Sequence, residues 1–248
     1  MTRNNFIKLS SLAGISLAVF PHLSFTSFSE EFSRNQLLGK GNADIVGNSY
    51  TSKMHKLTKE AFDKMKAEAA KENIKIEVVS AYRGFQRQKE IFERKYKSFT
   101  SQGLSPENAL EKIIEYSTIP GTSRHHWGTD LDIIDANARR PTDVLLPENF
   151  HGNGAFCKLK MWLDDNSEKF GFFEAYTDNG HRKGFKYEPW HFSYAPVSIP
   201  MLESYQKNID VKKMLSEEKI LGSENFSEEF INRYINENIL DINPALLP

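Results

Sequence analysis

Between residues 57 and 69 the apolar positions Leu57, Ala61, Phe62, Met65 and Ala69 recur at the spacing of one helical face among lysines and glutamates, which predicts an amphipathic helix. The period then shortens. Ile74, Ile76 and Val78 alternate with Lys75 and Glu77, the two-residue repeat of a half-buried strand. That strand delivers Ser80-Ala81-Tyr82-Arg83 at its C-terminal end. Phe85, Phe92 and Tyr96 punctuate a charged run that reads as the next helix. Ser105-Pro106 opens another, carrying Leu110, Ile113 and Ile114, with Pro120-Gly121 as its expected stop.

After a turn at Gly128, Leu131, Ile133 and Ile134 form a short apolar strand, and Phe156, Leu159, Leu163 and Phe170 mark a further helix. Two β segments, 172–177 and 185–194, flank Asp178-Asn179-Gly180, whose Asn-Gly pair signals a hairpin with a loop longer than two residues. Beyond Pro200 the chain is charged and helical, without a candidate catalytic group. The expected fold class is α+β, a small, mainly antiparallel sheet with helices packed around it.

Composition narrows the function more than the fold. With 32 Lys+Arg against 33 Asp+Glu, the formal charge of -1 gives no electrostatic reason to expect a nucleic-acid partner or an acidic membrane. The single cysteine, Cys157, excludes an intramolecular disulfide and a cysteine metal cluster. Arg3 and Lys8 followed by the apolar stretch Leu9 to Phe20 read as an export signal over residues 1–29, too short to span a bilayer comfortably. Cleavage after Ser29 and an alternative near Ser24 and Thr26 both fit. Residues 2–8 resemble a twin-arginine signal in which asparagine replaces the second arginine.

Three separated segments carry the unusual residues: Ser80 to Gln88, Ser123 to Asp132, and Glu188-Pro189-Trp190-His191. A catalytic zinc wants three nitrogen or oxygen ligands and one open position, and His125, Asp132 and His191 supply that set. Glu188, three residues before His191, suits a general base. On a regular strand that odd spacing would put the two on opposite faces, so a bend at Pro189-Trp190 is required.

At these residues the chain resembles the VanY-type D-alanyl-D-alanine carboxypeptidases, grouped with lysostaphin-type peptidases and the hedgehog N-terminal domain. Tyr-Arg-x-x-x-x-Gln, Ser-x-His-x-x-Gly-x-x-x-Asp and Glu-x-x-His occur in that order, and the likeness covers roughly residues 36 to 200. It implies a hedgehog/D-Ala-D-Ala-peptidase-like fold, zinc ligands His125, Asp132 and His191, the base Glu188, and a substrate anchor at Arg83. Gln88 and Ser123 match positions that help bind substrate. One position departs: Asp130 stands where the family usually has a small residue. It shares a strand face with Asp132, either as a partner behind the ligands or as a competing ligand.

His126 is expected to pack or hydrogen-bond near the site, since adjacent residues rarely aim at one point, and Trp127 and Trp190 to build core or pocket wall. The basic positions Arg87, Lys89, Arg94, Lys95 and Lys97 are interleaved with glutamates and read as a solvated helix face. The resulting expectation is an export signal (1–29), a zinc carboxypeptidase domain (30–200) and a C-terminal helical extension (201–248). The enzyme would remove D-alanine from peptidoglycan stem peptides in the periplasm or cell envelope, with no transmembrane domain. Rival readings are an L,D-carboxypeptidase, a peptidoglycan endopeptidase, and a non-catalytic zinc-containing envelope-binding protein.

Overall fold

From the N-terminal side the chain forms a short helix α1 (Arg34–Leu37), a two-stranded ribbon of β1 (Ile45–Val46) and β2 (Met54–His55), and helix α2 (Lys56–Ala70). These come from a computed structural model that describes residues 32–248; the export signal expected over 1–29 lies outside the described residues. Strand β3 (Ile76–Ser80) leads into α3 (Phe85–Ser101) and α4 (Pro106–Ile114), then a 3-10 turn (Arg124–Trp127) and strand β4 (Asp130–Asp135). Helix α5 (Cys157–Asn166), strands β5 (Phe172–Glu174) and β6 (His191–Tyr194), and helices α6 (Ala195–Asn208), α7 (Val211–Glu217) and α8 (Glu228–Tyr234) complete the order.

The main sheet runs β3-β4-β6-β5, antiparallel throughout. Its alternation divides it cleanly. Ile76, Val78, Leu131, Ile133, Phe172 and Phe192 pack against Phe62, Met65 and Ala69 of α2 and Leu159, Trp162 and Leu163 of α5. Each large side chain so buried contributes about 1.5–3 kcal/mol relative to exposure. A second core joins α3 and α4 to the C-terminal helices, with Phe92, Leu110 and Ile113 against Met201, Tyr205, Met214, Phe230 and Tyr234. Helix α6 starts at Ala195 and carries Pro200 in its interior.

Helix α4 begins as its sequence specifies: Ser105 accepts the Asn108 N–H, Pro106 occupies the first turn and Glu107 faces the helix dipole. It stops at Ile114, short of Pro120-Gly121. Groups far along the chain replace its backbone partners here. Asn238 Nδ2 donates to the Ile114 carbonyl at 3.3 Å, Gln88 Nε2 to the Thr118 carbonyl at 2.6 Å, and the Ile119 N–H donates to the Tyr234 hydroxyl at 3.0 Å.

The expected hairpin is half right. Strands β5 and β6 pair antiparallel, but 175–190 is an arch without regular strand instead of two long β arms. Arg182 holds that arch open by donating to the carbonyls of Thr177, Phe185 and Asp241. Across the arch the Glu188 N–H donates to the Tyr176 carbonyl at 3.1 Å, and the Lys186 N–H ties the arch to the Glu115 carbonyl at 3.0 Å. Among the described residues no helix is long and apolar enough to cross a membrane.

Candidate metal centre and active site

The face of the sheet away from α2 and α5 is polar because of its register. Asp132 lies opposite His191 and Asp130 opposite Ser193, while Leu131 and Phe192 point together into the core. A slip of one residue would put His191 among the apolar side chains and Phe192 in the site. On the other side of β4, an irregularity between Val78 and Ser80 sets Ser80 opposite Asp132. His125 arrives from the 3-10 turn, which Gly128 ends in the left-handed region at φ 71. A side chain there would meet Ile45 Cδ1 at 2.4 Å and the His55 nitrogen at 2.7 Å, so only glycine fits.

One donor atom each from His125, Asp132 and His191 lies within 4.8 Å of the others, and all three residues are buried. His125 donates from Nδ1 to the Ala81 carbonyl at 2.8 Å, leaving Nε2 3.6 Å from Asp132 Oδ2. His191 places Nδ1 3.6 Å from Asp132 Oδ1, which is itself buried without a hydrogen-bond partner. Two imidazole nitrogens beside a carboxylate that has one unsatisfied oxygen make a donor set that fits a divalent cation such as zinc.

Asp130 stands behind the triad. Its Oδ1 accepts from His191 Nε2 and from Arg124 Nε, both at 2.9 Å, and its Oδ2 accepts from Thr129 at 2.6 Å and Ser193 at 2.9 Å. All its capacity is thus spent away from the cation position, and the arrangement fits the partner role. Full burial pushes the Asp130 carboxyl up, but the Arg124 charge and the His191 hydrogen bond outweigh it and hold the group well below the usual carboxylate range. Arg124, 4% exposed, also donates to Ser193 Oγ at 2.7 Å. Arg124 carries no motif of its own in the sequence. Its only sequence signal is adjacency to His125, and its pairing exists only once β4 and the 3-10 turn are in place.

Burial brings His125 down to about 4, aided by Arg83 and His191 against the pull of Asp132 and Asp130, so its ring is neutral and offers a lone pair. His191 goes the other way. Burial opposes its charge, yet hydrogen bonds to Asp130 and Glu188 and the charge of Asp132 raise it to about 10. A cation arriving at Nδ1 would take the place of the proton held there. His126 does not join the metal group: it donates from Nδ1 to the Arg83 carbonyl and accepts the Gly121 N–H at 3.1 Å.

Glu188 Oε2 accepts from His191 Nδ1 at 2.9 Å. The bend that makes this possible is present, because Glu188 precedes β6 and its carbonyl accepts the His191 N–H at 3.0 Å. The carboxylate opens into a cleft of 340 Å³ that Arg83, Ser123, His125, Asp132 and His191 also line. Arg83 is held by Gln88 Oε1 at 2.9 Å and Ser80 Oγ at 3.0 Å, with Nε buried and unpartnered. Gln88, fully buried on α3, supports Arg83 and does not itself line the cleft. Tyr176 and Trp190 add aromatic walls, the Tyr176 ring lying edge-on 4.9 Å from that of His191. Tyr194, at the end of β6, packs on Phe172.

A family model described as VanY, D-alanyl-D-alanine carboxypeptidase, matches residues 51–197, more than half of the chain. A D-alanyl-D-alanine carboxypeptidase of Enterococcus faecalis is 29% identical over 143 residues, 57% of this chain and 48% of that one. A putative carboxypeptidase, YodJ, of Bacillus subtilis is 34% identical over 152 residues, 59% of this chain and 50% of its own length. This chain therefore spans about half the length of those two relatives. Among solved structures, VanYB in complex with D-alanine-D-alanine superposes with a TM-score of 0.50 at 24% identity, covering 73% of this chain and 92% of that one. That likeness shows a shared fold.

Proposed function

The chain belongs to the VanY family of D-alanyl-D-alanine carboxypeptidases, and from that premise we propose that it is a zinc-dependent peptidase that removes the C-terminal D-alanine of peptidoglycan stem peptides. The observation that carries this reading is the convergence of His125, Asp132 and His191 to within 4.8 Å, with Glu188 beside them in the cleft that Arg83 also lines. The donor set favours zinc, which when bound supplies a Lewis acid for the scissile carbonyl and makes water a better nucleophile near neutral pH.

The chain's own residues do the rest. Arg83, braced by Gln88 and Ser80, receives the terminal carboxylate with its planar guanidinium and fixes the register of the peptide. Ser123, buried at the cleft wall, adds a polar contact to the substrate. Glu188 takes a proton from the attacking water and returns it to the nitrogen of the departing D-alanine. The family's carboxypeptidase activity and the basic, then apolar, N-terminal stretch both support action outside the cytoplasmic membrane, in the periplasm or cell envelope.

The test is mass spectrometry of defined muropeptides incubated with the zinc-loaded protein. One alanine should leave the pentapeptide, and Glu188→Gln should keep zinc yet lose at least ~100-fold in kcat, since an amide cannot take the proton. Trimming of the tetrapeptide alone, or scission of a cross-link, would overturn the D,D-carboxypeptidase reading. A zinc-loaded protein inert on every wall peptide would point to a binding protein.

A further inference from the structure

Four residues that line the cleft each carry a buried polar atom without a partner: Arg83 Nε, Thr118 Oγ1, Arg124 Nη1 and Asp132 Oδ1. Asp132 faces the cation position, Arg83 is the anchor, and Arg124 is committed through its other nitrogens to Asp130 and Ser193. Thr118 alone has no role. Its neighbour Ser117 lines the same wall, but the Ser117 hydroxyl lies 3.4 Å from Gln88 Nε2 as its acceptor.

We propose that Thr118 is a specificity-determining residue that reads the substrate's terminal carboxylate together with Arg83, its hydroxyl donating to the same carboxylate that the guanidinium grips. This rests on the carboxypeptidase reading above.

The support is a single bracket. The carboxamide of Gln88 accepts from Arg83 Nη1 at 2.9 Å with its oxygen and donates to the Thr118 carbonyl at 2.6 Å with its nitrogen. Because Gln88 is fully buried on α3, the guanidinium and the backbone of Thr118 are held at a fixed separation on one wall. The loop is stiff on the far side as well. Tyr234 accepts the Ile119 N–H at 3.0 Å and lies 2.7 Å from Thr122 Oγ1, and the Tyr205 hydroxyl donates to the Gly121 carbonyl at 2.9 Å. The Thr118 hydroxyl sits buried without a partner on this braced wall, and a buried hydroxyl left unpaired is unfavourable. A carboxylate presents about four lone-pair sites, enough to serve both Arg83 and Thr118. The contact also suits the chemistry, since a hydroxyl bonds a charged acceptor more strongly than a neutral one.

The experiment compares wild type, Thr118→Val and Thr118→Ser, zinc-loaded and full length, on a peptide ending in free D-alanine and on its C-terminal amide. Valine keeps the shape and removes the donor, whereas serine keeps the donor and sheds the methyl. Thr118→Val should raise KM for the free acid roughly tenfold, with kcat within about twofold and KM for the amide moving less than about threefold. Thr118→Ser should stay within about threefold of wild type on both. A wild-type KM in Thr118→Val, or an equal rise on acid and amide, while wild type still prefers the acid, overturns the role of Thr118 and leaves the carboxypeptidase reading standing. Wild type that cleaves acid and amide alike overturns both.

Discussion

Replacing Asp130 by asparagine isolates what the buried charge behind His191 contributes. Asparagine has the same shape. Its carbonyl oxygen can face His191 and Arg124, and its amide can donate to Thr129 and Ser193, whose hydroxyls reverse roles. The negative charge is lost, together with the acceptor that Oδ2 offers the Thr129 and Ser193 hydroxyls. Arg124, 4% exposed, is then left without its counter-ion, and breaking a buried pair by removing one partner costs about 3–5 kcal/mol. For a chain of this size that is a fall of about 6–20 °C in the melting temperature of the zinc-free protein. Removing the partner that orients a metal-binding histidine typically costs about 10–100-fold in metal affinity, or about 1.4–2.8 kcal/mol. Thermal melts without metal and a competitive titration of zinc against a coloured chelator measure the two effects separately. Zinc affinity within threefold of wild type together with an unchanged melting temperature would refute the account of Asp130 as the group that orients His191.

The remaining expectations concern the atoms that touch metal and substrate. His125→Ala, Asp132→Ala and His191→Ala should each sharply weaken zinc binding from about one ion per chain, measured by elemental analysis after dialysis; full occupancy in all three would sink the ligand assignment. Asp130→Ala that lost zinc while Asp132→Ala kept it would reverse the choice between the two aspartates. Arg83→Ala should lower kcat/KM on the free acid by about 2–5 kcal/mol and much reduce discrimination against the amide. Arg83→Lys should recover only part of this, because an ammonium lacks the planar fork.

The residues that converge at the candidate metal site were legible because each of their segments keeps its spacing within a few residues: His125 and Asp132 in one stretch, Glu188 and His191 in another. Strand β4 was legible for the same local reason, an apolar run that follows the turn at Gly128. What the sequence could not carry was pairing between distant segments. Whether Asp130 bound metal or supported His191 depended on β6 lying antiparallel to β4 in one register, and no local pattern encodes that. Thr118 was invisible for a related reason, since its importance arises from Gln88 on another helix and Tyr234 near the far end of the chain. The Asn179-Gly180 signal located a turn correctly but overstated the strands beside it, because Arg182 and Pro189 open the arch that a hairpin would have closed.

The family match ends at residue 197, yet the arch that carries Glu188 rests on residues well beyond it. At Gly184 the two backbones touch: an added Cβ would lie 1.5 Å from the Glu237 carbonyl oxygen. Asp241 caps the Lys183 N–H at 2.7 Å, and Asn243 Nδ2 donates to the Glu174 carbonyl at 2.9 Å. The tail therefore works as a mould against which one wall of the cleft is cast. A lineage could reshape the mouth of its cleft by drift in the tail alone, leaving every residue of strands β4 and β6 as it was.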